Sequence, residues 1–135
     1  MYLLDTNIIV EFLHGRLPHA YRVFMRSDSR MLAVPAIVEA ELCYGVERAK
    51  GPHKGTDDSR PFLSPFKIAP FDSRCAEHYG RIRATLASRG KTVGPNDLLI
   101  AATALANGAV LVTRNARKFQ RVPGLTVEVW DEAEP

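Results

Sequence analysis

The chain has little cysteine. Its two, Cys43 and Cys75, stand far apart in helix-like patterns, with no C-x-x-C and no clustered histidine beside them. That supports neither a disulfide framework nor a structural zinc site. None of the four histidines, His14, His19, His53 and His78, falls in an H-E-x-x-H pattern, which argues against zinc-hydrolase chemistry. The longest apolar runs, such as residues 98–106, fall far short of the ~20 residues that a membrane-spanning helix needs. No basic region precedes an apolar signal segment, so the expected location is the cytoplasm. P-loop, G-x-G-x-x-G and G-x-S-x-G motifs are also missing, which removes nucleotide-binding and serine-hydrolase readings. No repeat or low-complexity tract interrupts the chain.

What is present fits one domain. At 135 residues, with 46% hydrophobic and 24% charged side chains, residues 1–135 are expected to fold around a single core. The net charge of +3 permits a polyanionic partner without demanding one. Residues 1–4 read as a short strand that stops at Asp5-Thr6-Asn7, polar residues suited to cap a helix through Ile8, Ile9, Phe12 and Leu13. A second helix is expected near residues 19–26, then a strand at 31–34. Pro35 opens a helix over residues 36–50 whose apolar stripe is Val38, Leu42, Gly45 and Ala49.

Residues 51–65, rich in Gly, Pro, Asp and Ser, read as a loop with a short irregular helix near Phe62. A third strand is expected at 66–71, and Asp72-Ser73 caps a long helix ending near Gly90. Gly94-Pro95 starts another, over residues 96–106, apolar on nearly every side and therefore enclosed. Strands follow at 109–113 and, at the sheet edge, 126–130. Strands alternating with helices imply an α/β domain, a central parallel sheet of four or five strands flanked by helices. Ligands bind such sheets beyond the carboxyl ends of the strands.

Three acids belong to elements that begin at or beside that edge. Taken alone, Asp5 suits a helix N-cap, and Asp97 suits the first turn of its helix, where a carboxylate meets the positive end of the macrodipole. Glu41 lies about 60 to 70° from the centre of its helix's apolar stripe and points toward the edge of the core, whereas Glu39 takes the opposite flank and Glu47 faces away. Three carboxylates converging there would repel one another. Mg²⁺ or Mn²⁺ resolves that repulsion, because each prefers hard oxygen ligands, and the set reads as a metal site for phosphoryl chemistry. After the fourth strand, Arg114, Arg117, Lys118 and Arg121 form a basic stretch suited to a nucleic-acid backbone, or simply to a solvated face.

Four stretches, Leu3-Leu4-Asp5-Thr6-Asn7-Ile8-Ile9, Glu39-Ala40-Glu41-Leu42-Cys43-Tyr44-Gly45, Gly94-Pro95-Asn96-Asp97-Leu98-Leu99-Ile100-Ala101-Ala102 and Leu111-Val112-Thr113-Arg114-Asn115, resemble the VapC family of PIN-domain ribonucleases. Val122-Pro123-Gly124-Leu125 fits as well, so the resemblance runs in order over nearly the whole chain. It implies a PIN-like three-layer fold, Mg²⁺ or Mn²⁺ dependence, endonucleolytic RNA cleavage, a homodimer and a cognate antitoxin partner. It further implies that Asp5 and Asp97 are the principal metal ligands, with Glu41 as the third acid. The family often places a fourth acid where this chain has Asn115, which bears on a second metal site. The implied mechanism is hydrolysis by water that the metal activates and orients.

Two readings of other classes compete. A non-catalytic RNA-binding or interaction module of the same fold draws on the neutral Asn115, while retention of Asp5, Glu41 and Asp97 argues against it. A phosphoacceptor domain would want paired acids after the first strand, and Asp5 has no acidic neighbour. The early helices also carry Leu13 and Phe24, apolar side chains that could accept an amphipathic antitoxin segment.

Overall fold

A computed structural model describes residues 1–14, 26, 31–49, 63 and 66–130. The helix expected near residues 19–26 and the loop at 51–65 lie outside the described residues, apart from Arg26 and Leu63. Among the described residues, no helix is long and apolar enough to cross a membrane.

The chain opens with β1 (Tyr2–Leu4), whose Leu3 and Leu4 are fully buried. Asp5 then caps α1 (Thr6–Leu13) from an extended conformation, its side chain accepting the Thr6 N–H. All four residues of β2 (Leu32–Pro35) are buried, as expected of a strand covered on both faces. Pro35 is thus the last residue of the strand rather than the first of the helix. It pairs with Ala69 on one side, and β1 on the other side reaches only to Ala33, so its missing N–H breaks no ladder there.

Helix α2 (Ala36–Ala49) buries Val38, Leu42 and Val46. The expected stripe ran instead through Gly45, which is exposed, and Ala49, which is half-buried. Val46 offers far more apolar surface than either, so burial follows the spacing of four that includes it. Then come β3 (Lys67–Ala69) and α3 (Ser73–Ser88), the latter capped by Asp72, which accepts the Cys75 N–H at 3.1 Å. Helix α4 (Pro95–Ala106) buries seven of its residues, matching its nearly uniform apolar character. It packs most extensively on α3. Gly108, with φ 59, makes the left-handed turn that feeds β4 (Val110–Thr113). The basic stretch after β4 contains a short helix, α5 (Ala116–Phe119), that periodicity did not announce. Its anchor is Phe119, fully buried in the core. The edge strand β5 (Val127–Val129) ends at buried Trp130, whose ring lies 6.1 Å from that of Tyr2.

All five strands run parallel in the order β3-β2-β1-β4-β5. From β1 the chain builds outward to β3, then returns to the other side of β1 for β4. The order therefore reverses between β1 and β4, and at such a switch point the connections diverge and leave a crevice beyond the carboxyl ends. The register pairs Leu4 with Val112, so Asp5 and Thr113 come next to each other at that crevice.

Phe119 holds the segment that closes the crevice. Phe119→Ala is expected to cost about 3 to 5 kcal/mol, the usual range for removing a fully buried ring. Urea unfolding of the two forms measures it, and a loss under about 1 kcal/mol would contradict the anchoring role.

Candidate active site

A cleft of about 290 Å³ opens at the switch point, lined by Asp5, Thr6, Asn7, Val10, Glu11, Glu41, Asp97 and Lys118. Among the described residues, four different elements supply its carboxylates and its lining cation. Asp5 sits between β1 and α1, and its N–H continues the ladder by donating to Val112 O at 2.9 Å. Its carboxylate is almost wholly buried. Oδ1 accepts the Thr6 N–H at 2.8 Å and Oδ2 accepts the Thr113 hydroxyl at 2.8 Å. The N-cap expectation is thus met by one oxygen, while the other ties Asp5 to the end of β4.

Thr113, at the end of β4, organises the surroundings. Its Oγ1 accepts the Asn115 N–H at 3.0 Å and the Asn7 amide at 3.4 Å while donating to Asp5. Asn7 Oδ1 in turn accepts the Arg114 N–H at 3.2 Å. The loop leaving β4 is therefore tied to the first turn of α1 through Asn7 and Thr113.

The expectation of three converging carboxylates is met in part. Asp5, Glu41 and Asp97 line the same cleft, yet among the described residues no three acids, histidines or cysteines are gathered closely enough to grip an ion as they stand. Like charges held without a counter-ion repel, and each acid has a partner of its own. Glu41 Oε1 accepts the Thr6 hydroxyl at 2.9 Å. Asp97 Oδ1 lies 3.2 Å from Lys118 Nζ. Asp97 stands in the first turn of α4, just after the N-cap residue Gly94.

Other candidates separate. Glu39 is half-buried outside the lining of the cleft, and Glu47 is exposed. Asn115 caps α5 without a side-chain hydrogen bond and is exposed beside the cleft rather than lining it. The four basic residues do not share one face. Lys118 enters the cleft, Arg114 pairs with Glu11 at 3.4 Å, Arg117 is exposed, and Arg121 donates to Thr92 O at 3.1 Å away from it. Glu11 and Thr113 were missed. Glu11 could have been found by helical spacing, since it lies four residues after Asn7 and shares its face of α1, and Thr113 by the adjacency of the first and fourth strands.

Burial pushes the Asp5 carboxyl above its ordinary range. The Thr113 and Thr6 hydrogen bonds and the charge of Lys118 oppose that rise, while Asp97 adds to it. A carboxyl whose pKa is higher folded than unfolded contributes its stability at low pH and loses it as pH rises through the folded value. At neutral pH the ionised Asp5 therefore costs stability. In chelator at pH 7, Asp5→Asn is expected to raise the melting temperature, by roughly 3 °C for each kcal/mol relieved, and the gain should vanish in acid. A lower melting temperature at pH 7 would contradict the burial penalty.

Comparison with known proteins identifies the family. Residues 2–125 match the PIN domain family. Ribonuclease VapC2 of Rickettsia felis is 38% identical over 134 residues, covering 98% of this chain and 99% of the relative. The tRNA(fMet)-specific endonuclease VapC of Salmonella typhimurium is 36% identical over 129 residues, covering 96% and 97%. Among solved structures, DNA-bound VapBC from Salmonella typhimurium superposes with a TM-score of 0.86 at 36% identity, covering 96% of this chain and 97% of that one. VapBC2 from Rickettsia felis, bound to a promoter DNA fragment, gives 0.83 at 37%, covering 96% and 98%. The chain belongs to the PIN-domain family and, within it, to the VapC ribonucleases.

Proposed function

We propose that this chain is the toxin ribonuclease of a toxin–antitoxin pair, and that it cleaves RNA phosphodiester bonds with Mg²⁺ or Mn²⁺ held by Asp5, Asp97 and Glu41. The observation that carries the reading is the gathering of Asp5, Glu11, Glu41 and Asp97 in one cleft at the β1–β4 switch point. The donor chemistry fits a hard divalent ion, since these side chains offer only carboxylate oxygens. A cation, the Lys118 ammonium, already rests against Asp97, so the cleft is one that accepts positive charge. When bound, the metal supplies Lewis acidity toward water and positive charge opposite the phosphate.

The protein's own groups do the rest. Asp5 is the fixed ligand, both of its oxygens being aimed by Thr6 and Thr113. Glu41 and Asp97 are adjustable ones, held by the Thr6 hydroxyl and the Lys118 ammonium, partners that can be exchanged. Lys118 at the cleft, with exposed Arg117 next to it in α5, attracts the RNA backbone. The substrate class is RNA, and initiator tRNA is the first one to test because the Salmonella typhimurium relative is named for it. The partner is a cognate antitoxin, as in the VapBC structures this chain resembles. Leu13, 38% exposed at the end of α1, is a candidate contact for it, and Phe24 lies outside the described residues. The working form is a homodimer in the cytoplasm.

Asp5→Asn and Asp97→Asn are expected to reduce RNA cleavage in Mg²⁺ by at least about a hundredfold, on the order of 2.7 kcal/mol of transition-state stabilisation, with unchanged circular dichroism. Glu41→Gln should cripple cleavage in the same assay, whereas Glu39→Gln, outside the cleft, should retain it. Full activity of either aspartate variant, or of wild type in chelator, would leave an RNA-binding module as the better reading.

Asn115 stands one residue beyond the Thr113–Arg114 edge of the cleft, where a carboxylate would add negative charge. Asn115→Asp is expected to lower the Mg²⁺ concentration at half-maximal cleavage by several-fold, on the order of 1 kcal/mol for one added charge near a partly solvated ion. A metal titration of both forms checks this. An unmoved midpoint would place residue 115 outside the reach of the metal.

A further inference from the structure

Lys118 has a fixed root and a movable head. Its neighbour Phe119 is fully buried, which fixes the backbone of α5, while the Lys118 side chain is 36% exposed and reaches the cleft through its flexible stem. The ammonium reaches back over the Phe119 ring, 5.2 Å from its centroid, to lie 3.2 Å from Asp97 Oδ1. Its charge is felt at Asp5 as well, where it favours the ionised carboxylate. Among the described residues that line the cleft, four carry a carboxylate and Lys118 carries a positive charge.

We propose that Lys118 is an internal counter-cation of the carboxylate cleft, one that a divalent ion must displace from Asp97 before it can bind. This rests on the metal reading above. An ammonium and a divalent ion cannot share Asp97 Oδ1, because two cations a few ångströms apart in a partly desolvated cleft repel strongly. The ion wins by its second charge and by the several carboxylates it can engage together, yet it wins less than it would if Asp97 were free. Lysine suits the task better than arginine, being a compact charge on a flexible stem and able to leave along its own side chain. Once displaced, the ammonium remains within a side-chain length of the cleft, where the next anion to arrive is a substrate phosphate. One residue thus opposes metal binding and favours RNA binding.

That opposition separates the idea from a merely structural role. Calorimetric titration of metal-free protein with MnCl₂, without RNA, is expected to give a Kd about tenfold lower for Lys118→Met than for wild type, equivalent to about 1.4 kcal/mol. Lys118→Gln should behave alike, and Lys118→Arg should stay near wild type. At saturating Mn²⁺, Lys118→Met combined with Asp5→Asn should bind RNA more weakly than Asp5→Asn alone. If wild type binds Mn²⁺, Asp97→Asn weakens it and both neutral Lys118 variants bind no tighter, displacement is wrong while the metal site stands. If wild type shows no saturable Mn²⁺ binding, the metal reading falls and the counter-cation role with it.

Discussion

The arrangement depends on one buried carboxylate. Asp5 lies where β1 ends, between β2 and β4, and its charge is nearly sealed from water. An ionised carboxylate there is tolerable only if its lone pairs are met, and the Thr6 N–H and the Thr113 hydroxyl meet them from two different elements. Both donors are consequences of backbone geometry. The first exists because Asp5 caps α1, the second because parallel register brings Thr113 alongside. Among the described residues no buried side-chain nitrogen or oxygen lacks a partner, so this charge is embedded without an orphaned group.

From that constraint the remainder of the cleft follows as a problem of charge balance. Asp5 is immobile, and Glu41, Asp97 and Glu11 add further negative charge around it. In response, the side chains spread onto separate partners, Thr6, Lys118 and Arg114. Two of those partners come from the segment after β4. Within the basic stretch, Arg114 and Lys118 thus serve as counter-charge to the acidic cleft. Arg121, which turns away to Thr92, belongs to the packing of that segment instead.

Much of this was legible in the sequence because the relevant signals are local. Asp5 before an apolar helical run, Gly94-Pro95 before Asp97, and buried apolar strands separated by helices give both the sheet and the edge to inspect. Glu41 was separable from Glu39 because a helix converts sequence spacing into direction. What was not legible depends on contacts between distant segments. Helix α5 has four residues and no period to detect, and only the depth of Phe119 in the core accounts for it. Thr113 looks like an ordinary β-branched strand residue until the register places it against Asp5. The hydrophobic face of α2 was misread by one position because Gly45 and Val46 both sit near the stripe, and burial favoured the larger side chain.

The same distinction between local and distant causes explains why the sequence placed the acids at one sheet edge but did not show the partner that each one takes. Residue positions follow from backbone elements, which the sequence specifies well. Side-chain directions within a charged cleft follow from the partners that each group can reach, and here the carboxylates take up hydroxyls and an ammonium group that come from distant segments. Asp5 is the fixed member, with both oxygens engaged. The burial that makes it costly to the fold also keeps it in place, whereas Glu41 and Asp97 lie in the more open part of the cleft.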